Sequence, residues 1–275
     1  MKAQTFSLAL LLCLSAPAEA EQISVLICYP ASAVSARDAE PALKEMVQVI
    51  ESIGGWTSGT VQTTFTTRFS ECQQKMAALQ PAFAILPLGL FLRHRAEHQL
   101  QPLVQPSIAG RTSETYQVVV KKGSFKSLQE LKGRKLGSPW LEDREFVRRL
   151  VFANTLDPDK DLHPVAIKRS LRALRQLVAG KIDAVLLNQQ QAESLSELPM
   201  GKDLEVIYRS PELPQIGITA SLARTSADTR KKMTRAMLAM CGHAQGKKLC
   251  ELFNIDGFKE VGPGSYDQVI KMWQQ

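Results

Sequence analysis

Residues Tyr116–Ser138 read YQVVVKKGSFKSLQELKGRKLGS, and this stretch decides the fold. Tyr116 to Lys121 is β-branched and predicts a buried strand. Gly123 breaks it, and Ser127 with Glu130 has the spacing of a capping box ahead of Leu128 and Leu131. Gly133 ends the short helix, and a second strand starts near Lys135. Gly137-Ser138-Pro139 then falls at the carboxyl end of that strand, where α/β sheets place ligands. The unit has the signature of a binding lobe rather than of a catalytic site.

The same alternation runs outward in both directions. Ile23 to Cys28 predicts a buried strand, and Ala39 to Ile53 a helix with Ala42, Met46, Val49, Ile50 and Ile53 at helical spacing, closed by Gly54-Gly55. A strand at Val61–Thr67, a helix at Glu71–Leu79 and a strand at Phe83–Leu86, ending at Pro87, complete a βαβαβ order that implies a parallel sheet with helices on both faces. Beyond Ser138 the reading continues with a helix at Glu142–Asn154, a strand at His163–Ile167, a helix at Leu171–Ala179 and a strand at Ile182–Leu187. Strands at Val206–Tyr208 and Ile216–Ala220 follow, then helices at Ser226–Met240 and Gly246–Phe253. There is no internal repeat and no low-complexity linker, so two α/β lobes fit the length.

The first residues predict where the chain works. Met1-Lys2, an apolar run from Phe6 to Leu14 and the small-x-small site Ala18-Glu19-Ala20 describe a secretory signal peptide, 1–20, cleaved after Ala20 to leave Glu21 at the terminus. Leu12 ahead of Cys13 departs from a lipoprotein site. No later run approaches the roughly 18 uninterrupted apolar residues of a membrane span, so a soluble periplasmic protein is expected. The net charge of +7 favours anionic ligands or a basic surface, yet Lys and Arg are spread along the chain without a run of five. Nucleic-acid binding is not expected, because the interleaving of aromatic and basic residues is missing.

Four cysteines follow the leader: Cys28, Cys72, Cys241 and Cys250. Export permits disulfides. Cys241 and Cys250 flank Gly242-His243-Ala244-Gln245-Gly246, a turn able to fold back into a local staple, whereas Cys28 and Cys72 read either as free buried thiols or as a second bridge. No C-x-x-C occurs, and His94, His98, His163 and His243 do not suggest a ligand cluster, so no metal is expected. His94 and His98, flanked by Arg93, Arg95 and Glu97, read as a solvated helix face.

The order of the 116–138 stretch, LDPDKDLHPVAI (156–167), GKIDAVLLN (180–188), LEVIYRSPELP (204–214) and LFNIDGFKEVGPGSYDQV (252–269) resembles the phosphonate, phosphite and phosphate family of periplasmic solute-binding proteins. The resemblance covers nearly all of the chain after the leader. It implies a two-lobed α/β clamp of the type II periplasmic-binding class with two crossing hinge strands. Lobe one would be 21–113 plus 219–275, and lobe two 114–218. It also implies delivery of a small ligand to an ABC-transporter permease. In such a clamp the ligand is held where strands end, by helix N-termini and hydroxyls, and closure removes it from water.

The chain departs from the family at the positions that would hold the ligand. A hydroxyl-rich Ser-Thr-Ser turn is replaced by Ser138-Pro139-Trp140-Leu141-Glu142-Asp143, and only Ser138 survives. A Gly-Ser-His turn is replaced by Lys168-Arg169-Ser170, with Ser170 at the histidine position. A tyrosine is replaced by Phe69, and a Gly-Pro turn by Pro87-Leu88. Trp140, Phe69 and Tyr116 are expected to enclose a partly apolar ligand, and Arg169 or Arg172 to pair with an anion. The alternative for each is lid packing for Trp140 and an exposed helix start for the arginines. Tyr29 and Asn188, each following a strand, are rim candidates, with loop capping as the alternative for Asn188. Glu142 and Asp143 read first as charges at a helix N-terminus and second as cation ligands.

An enzyme is not expected. There is no Gly-x-Ser-x-Gly elbow, no phosphate-loop lysine motif and no His-Glu-x-x-His, and no cofactor is implied. The expectation is a monomeric binding protein that captures a small anionic ligand for an ABC transporter, in a pocket diverged from phosphonate binders. The alternative is a periplasmic sensor that passes occupancy to a membrane kinase or cyclase, since closure alters the outer surface for either partner.

Overall fold

Ile23 starts the first strand because Val25 to Cys28 are buried on both faces, the pattern of a strand inside a helix-covered sheet. The computed structural model describes residues 22–30 and 35–275. The expected signal peptide, its cleavage site and Glu21 lie outside the described residues. Strand β1 (Ile23–Cys28) leads to α1 (Ala36–Gly54), β2 (Val61–Thr66), α2 (Phe69–Leu79), β3 (Phe83–Ile85) and α3 (Leu88–His94). The chain continues through β4 (Leu100–Pro102), β5 (Val104–Ser107) and β6 (Ser113–Glu114). Next come β7 (Tyr116–Lys121), β8 (Lys135–Ser138), α4 (Arg144–Phe146), β9 (His163–Ala166), α5 (Ser170–Val178), β10 (Ala184–Asn188), α6 (Gln189–Glu193) and β11 (Leu204–Arg209). The last part is β12 (Leu213–Pro214), β13 (Ile218–Ser221), α7 (Ala227–Ala239), α8 (Ala244–Leu252), β14 (Gly257–Glu260) and α9 (Asp267–Gln274).

Two five-stranded sheets result. The first has the order β2-β1-β3-β13-β4, parallel among β2, β1 and β3 and antiparallel at β13. The second has the order β11-β7-β10-β8-β9, with β10, β8 and β9 parallel and β7 antiparallel to both of its neighbours. The chain passes between the sheets at 107–116 and again at 209–218. The two passages pair as β6 with β12, Leu213 opposite Glu114 and Pro214 opposite Ser113. Tyr116 and Ser210 fasten the end of this crossing, because Ser210 N–H donates to Tyr116 O (2.8 Å) while Ser210 Oγ accepts from Tyr116 N–H (2.9 Å).

The cores explain why the halves stay together. One cluster lies between the first sheet and α1, α7 and α8, around Val49, Ile50, Phe83 and Met237. Another lies under α5, around Val119, Leu174 and Val185. The largest crosses the seam, joining Leu26, Ala84, Leu88 and Phe91 of the first half to Tyr116, Val118, Leu136 and Leu150 of the second, with Tyr266 and Val269 closing it. Each large apolar side chain buried there contributes roughly 1.5–3 kcal/mol.

Local details depart from the sequence expectations where tertiary contacts win. Ser35 caps α1 by accepting from Asp38 N–H, and Gly55 closes it with φ +73°, a conformation that glycine adopts without strain. The box expected from Ser127 and Glu130 does not form: residues 129–131 make a single 3₁₀ turn with no side-chain cap, and Glu130 accepts from Lys126 N–H instead. The helix expected over 142–154 is broken into a 3₁₀ turn at 139–142, the short α4 and a π turn at 147–151, with Asp143 capping Phe146 N–H. His94 and His98, expected on a solvated face, are both buried at the ring. No helix among the described residues is long and apolar enough to cross a membrane. Cys241 and Cys250 form a disulfide with Cα atoms 5.6 Å apart, and Cys28 and Cys72 are free and buried.

Candidate functional site

The carboxyl ends of β1, β8 and β10 meet the β6–β12 crossing, and a carboxylate sits in that meeting place. Glu114 lies on β6, two residues before Tyr116 in extended chain, so both side chains project to one side. Tyr116 Oη donates to Glu114 Oε1 at 3.0 Å. Asn188 stands beside Glu114, while its Oδ1 caps α6 by accepting from Gln191 N–H (3.0 Å). Burial pushes the Glu114 carboxyl up, opposed by Tyr116 and Asn188. Tyr29, after β1, joins from the other sheet: desolvation first and the Glu114 charge second raise its phenol, although half of the residue's surface is open. Tyr116 is buried, and desolvation followed by Glu114 raises its phenol as well.

An aromatic wall stands behind the carboxylate. The Tyr116 ring meets Trp140 edge-on at 5.2 Å and Phe146 at 5.3 Å. Trp140 Nε1 is buried without a hydrogen-bond partner. Next to this wall, Arg93 at the end of α3 reaches the second half of the chain, pairing with Asp143 (3.0 Å) and Glu145 (2.7 Å). Its guanidinium also lies over the rings of Phe69 (5.9 Å) and Trp273 (5.6 Å). Arg149 completes the network by binding Glu145 and donating to the carbonyl of Trp273. Burial raises the Asp143 carboxyl, and its Oδ2 has no hydrogen-bond partner.

The expected ligand residues divide into two groups. Phe69, Leu88, Tyr116 and Trp140 belong to the one cluster that crosses the seam, and Tyr29 and Asn188 converge on Glu114. Ser138 is fully buried and its hydroxyl is engaged on both sides, donating to Leu186 O (2.8 Å) and accepting from Trp140 N–H (3.2 Å). Its role in this conformation is a turn cap. Arg169 is exposed at the start of α5 and provides no side-chain cap, with Ser170 half-buried beside it. An open depression of about 670 Å³ along α7, lined by Arg230, Lys231 and Glu260, contains none of these residues.

The family described as "ABC transporter, phosphonate, periplasmic substrate-binding protein" matches residues 31–266. The chain belongs to this family. It is a periplasmic substrate-binding protein of the ABC-transporter type, built as a type II clamp. Among solved structures it is similar to XAC2383 from Xanthomonas citri bound to ATP, with 13% identity, a TM-score of 0.70 and coverage of 92% of this chain and 96% of that one. The binding component PA3383 of an ABC phosphonate transporter from Pseudomonas aeruginosa gives 15%, 0.67, 91% and 85% in the same order. PhnD1 from Prochlorococcus marinus in complex with methylphosphonate gives 14%, 0.65, 93% and 98%. At such identities these structures speak for the fold. No curated protein matches the sequence.

Sequence reasoning missed Glu114, Arg93, Phe146 and Trp273. Glu114 had one available signal, its i, i+2 relation to Tyr116 at the start of the decisive strand. Arg93 and Trp273 had none, since their hydrogen-bond partners lie 50 or more residues away.

Proposed function

We propose that the protein captures a small amine-bearing anion between lobe one, 21–113 with 219–275, and lobe two, 114–218, and delivers it to an ABC-transporter permease after export and cleavage behind Ala20. The observation that carries this reading is the Glu114 carboxylate at the crossing, oriented by Tyr116 and Asn188 and faced by Tyr29 from the other sheet. A carboxylate there accepts hydrogen bonds from an ammonium group. Trp140, Phe69 and Leu88 supply the apolar wall, and Arg169 with Ser170 at the start of α5 receives the anionic end as the lobes close.

The same carboxylate disfavours a bare phosphonate, phosphite or phosphate. Two negative charges about 4 Å apart at an effective dielectric of about 20 repel by about 4 kcal/mol, near a thousandfold in affinity. Ser138, the one family hydroxyl retained, gives its proton to Leu186 O. A thermal-shift screen of small metabolites followed by calorimetry tests the reading. Ligands carrying both an amine and an acid should bind, and Glu114→Gln should weaken them by about tenfold or more, the worth of a charge-assisted hydrogen bond. Submicromolar binding of methylphosphonate or phosphate, unaffected by Glu114→Gln, would overturn it.

A further inference from the structure

We propose that His94, Glu97 and His98 form a site for a borderline divalent cation of the zinc type at the carboxyl end of α3. His94 is nine-tenths buried, and neither of its ring nitrogens has a hydrogen-bond partner. His98 Nε2 is buried and equally unpartnered. A neutral imidazole carries one donor and one acceptor, and buried polar groups of this kind are nearly always satisfied. Two adjacent imidazoles with three orphaned nitrogens therefore call for a ligand that accepts lone pairs from both.

The geometry suits a metal. One ligand atom from each of the three residues lies within 4.8 Å of the others, the two rings are 5.5 Å apart between centroids, and Glu97 Oε1 is 3.9 Å from His98 Nε2. His-Arg-Ala-Glu-His places two imidazoles four apart with a carboxylate between them, the H-x-x-E-H spacing of one class of zinc site. The helical turn that aligns them is intact, since His98 N–H donates to His94 O at 3.0 Å. Ligands on one zinc ion stand about 3.4 Å apart at ordinary tetrahedral bond lengths. Glu97, whose side chain is 72% exposed, is free to close that gap.

The platform is also rigid. Ser221 Oγ donates to His98 O (3.0 Å), and Leu222 N–H donates to Gln99 O (3.1 Å), which fixes the turn to the end of β13. The carbonyl end of a helix favours a cation. Of the two arginines that flank His94, Arg93 is neutralised by Asp143 and Glu145. Two imidazoles and a carboxylate select zinc, nickel or copper over magnesium or calcium, and leave a fourth position to water.

The test uses the untagged mature chain, stripped with chelator and titrated with Zn²⁺ by calorimetry, with melting temperature as a second readout. The expected result is uptake of one equivalent, a rise in melting temperature with Zn²⁺, and no response to Mg²⁺. Glu97→Gln, at an exposed position that keeps the fold, should weaken uptake by about tenfold, and His98→Gln should abolish it. Circular dichroism confirms that each variant folds. No uptake by the wild-type chain at millimolar Zn²⁺ would overturn the proposal. So would affinity unchanged in both variants, or uptake lost in Cys28→Ser but retained in His98→Gln.

Discussion

Gly89→Ala is the substitution that most directly probes the seam. Gly89 is the second residue of α3, and an ideal Cβ at that position lies 2.8 Å from Phe146 Cβ and closer still to Asp143 Oδ2. Carbon atoms pack at about 3.5 Å or more, so the facing segment must retreat by about 0.7 Å. Phe146 cannot evade the methyl group, because its Cβ is fixed to the backbone of α4. Asp143 is held by Arg93 and by the Phe146 N–H. Overpacking of this kind costs roughly 1–3 kcal/mol. The cost falls on the contact between the halves and leaves the cores under α1 and α5 intact, so it acts on closure. Ligand affinity should drop by about 5- to 150-fold. The melting temperature should fall by roughly 2–4 °C for each kcal/mol. Calorimetry, thermal unfolding and small-angle scattering of the unliganded protein measure the three effects. A variant with wild-type melting temperature, affinity and radius of gyration would refute the reasoning, since it would mean that the two halves tolerate the added methyl group without moving.

Four further outcomes are expected. Glu114→Gln keeps an acceptor for Tyr116 but removes a carboxylate whose ionisation burial opposes. A carboxyl raised in the fold contributes stability below its unfolded pKa of about 4.3 and loses it as pH rises through the folded value, so the variant should melt higher than wild type at pH 7 and gain nothing at pH 4. Trp140→Ala removes the edge contact to Tyr116 and should cost toward the low end of the roughly 3–5 kcal/mol of a buried aromatic deletion, the ring being partly exposed, which denaturant titration reads. Reduction of Cys241–Cys250, nine positions apart, should destabilise by about 2–3 kcal/mol, visible as a lower melting temperature in dithiothreitol. Calorimetry with methylphosphonate, phosphite and phosphate should show little heat at neutral pH.

The parts of the fold that were readable are those whose burial repeats along the chain. Tyr116 to Lys121 and Ile23 to Cys28 announce themselves because each is buried on both faces of a sheet. Residues 88–94, LGLFLRH, are buried almost all round and so show no amphipathic stripe, which hides α3. The helix expected over 142–154 has the right residues but follows the contours of the seam, and its hydrogen bonds shift to i+3 and i+5 to do so. The candidate site was legible in its aromatic half. Its acidic half was not, because Ser113-Glu114-Thr115 looks like a polar connection until β12 pairs with it and Asn188 and Tyr29 arrive from other strands. The histidines misled for the same reason: flanking charges describe sequence neighbours, whereas burial at His94 is set by the packing of α3.

Two acids with raised carboxyl pKa values, Glu114 and Asp143, both lie where the halves meet. Burial penalises the ionised form of each, and Asp143 Oδ2 is left without a donor. Both weaken the fold as pH rises through their folded values, since ionisation then has to be supported against burial. Such a cost placed in a core would serve nothing. Placed at a seam, and on the proposed function, it would make the closed arrangement depend on what enters it, because a ligand that donates to Glu114 would relieve that penalty. Affinity then arises from the difference between the closed and open arrangements rather than from contact area, and the ligand shifts the population by its differential interaction with the two. Aromatic packing alone would close the halves on any apolar molecule. In the proposed function the carboxylate adds the condition that the molecule bring a donor, and selection by charge at the seam rests on it.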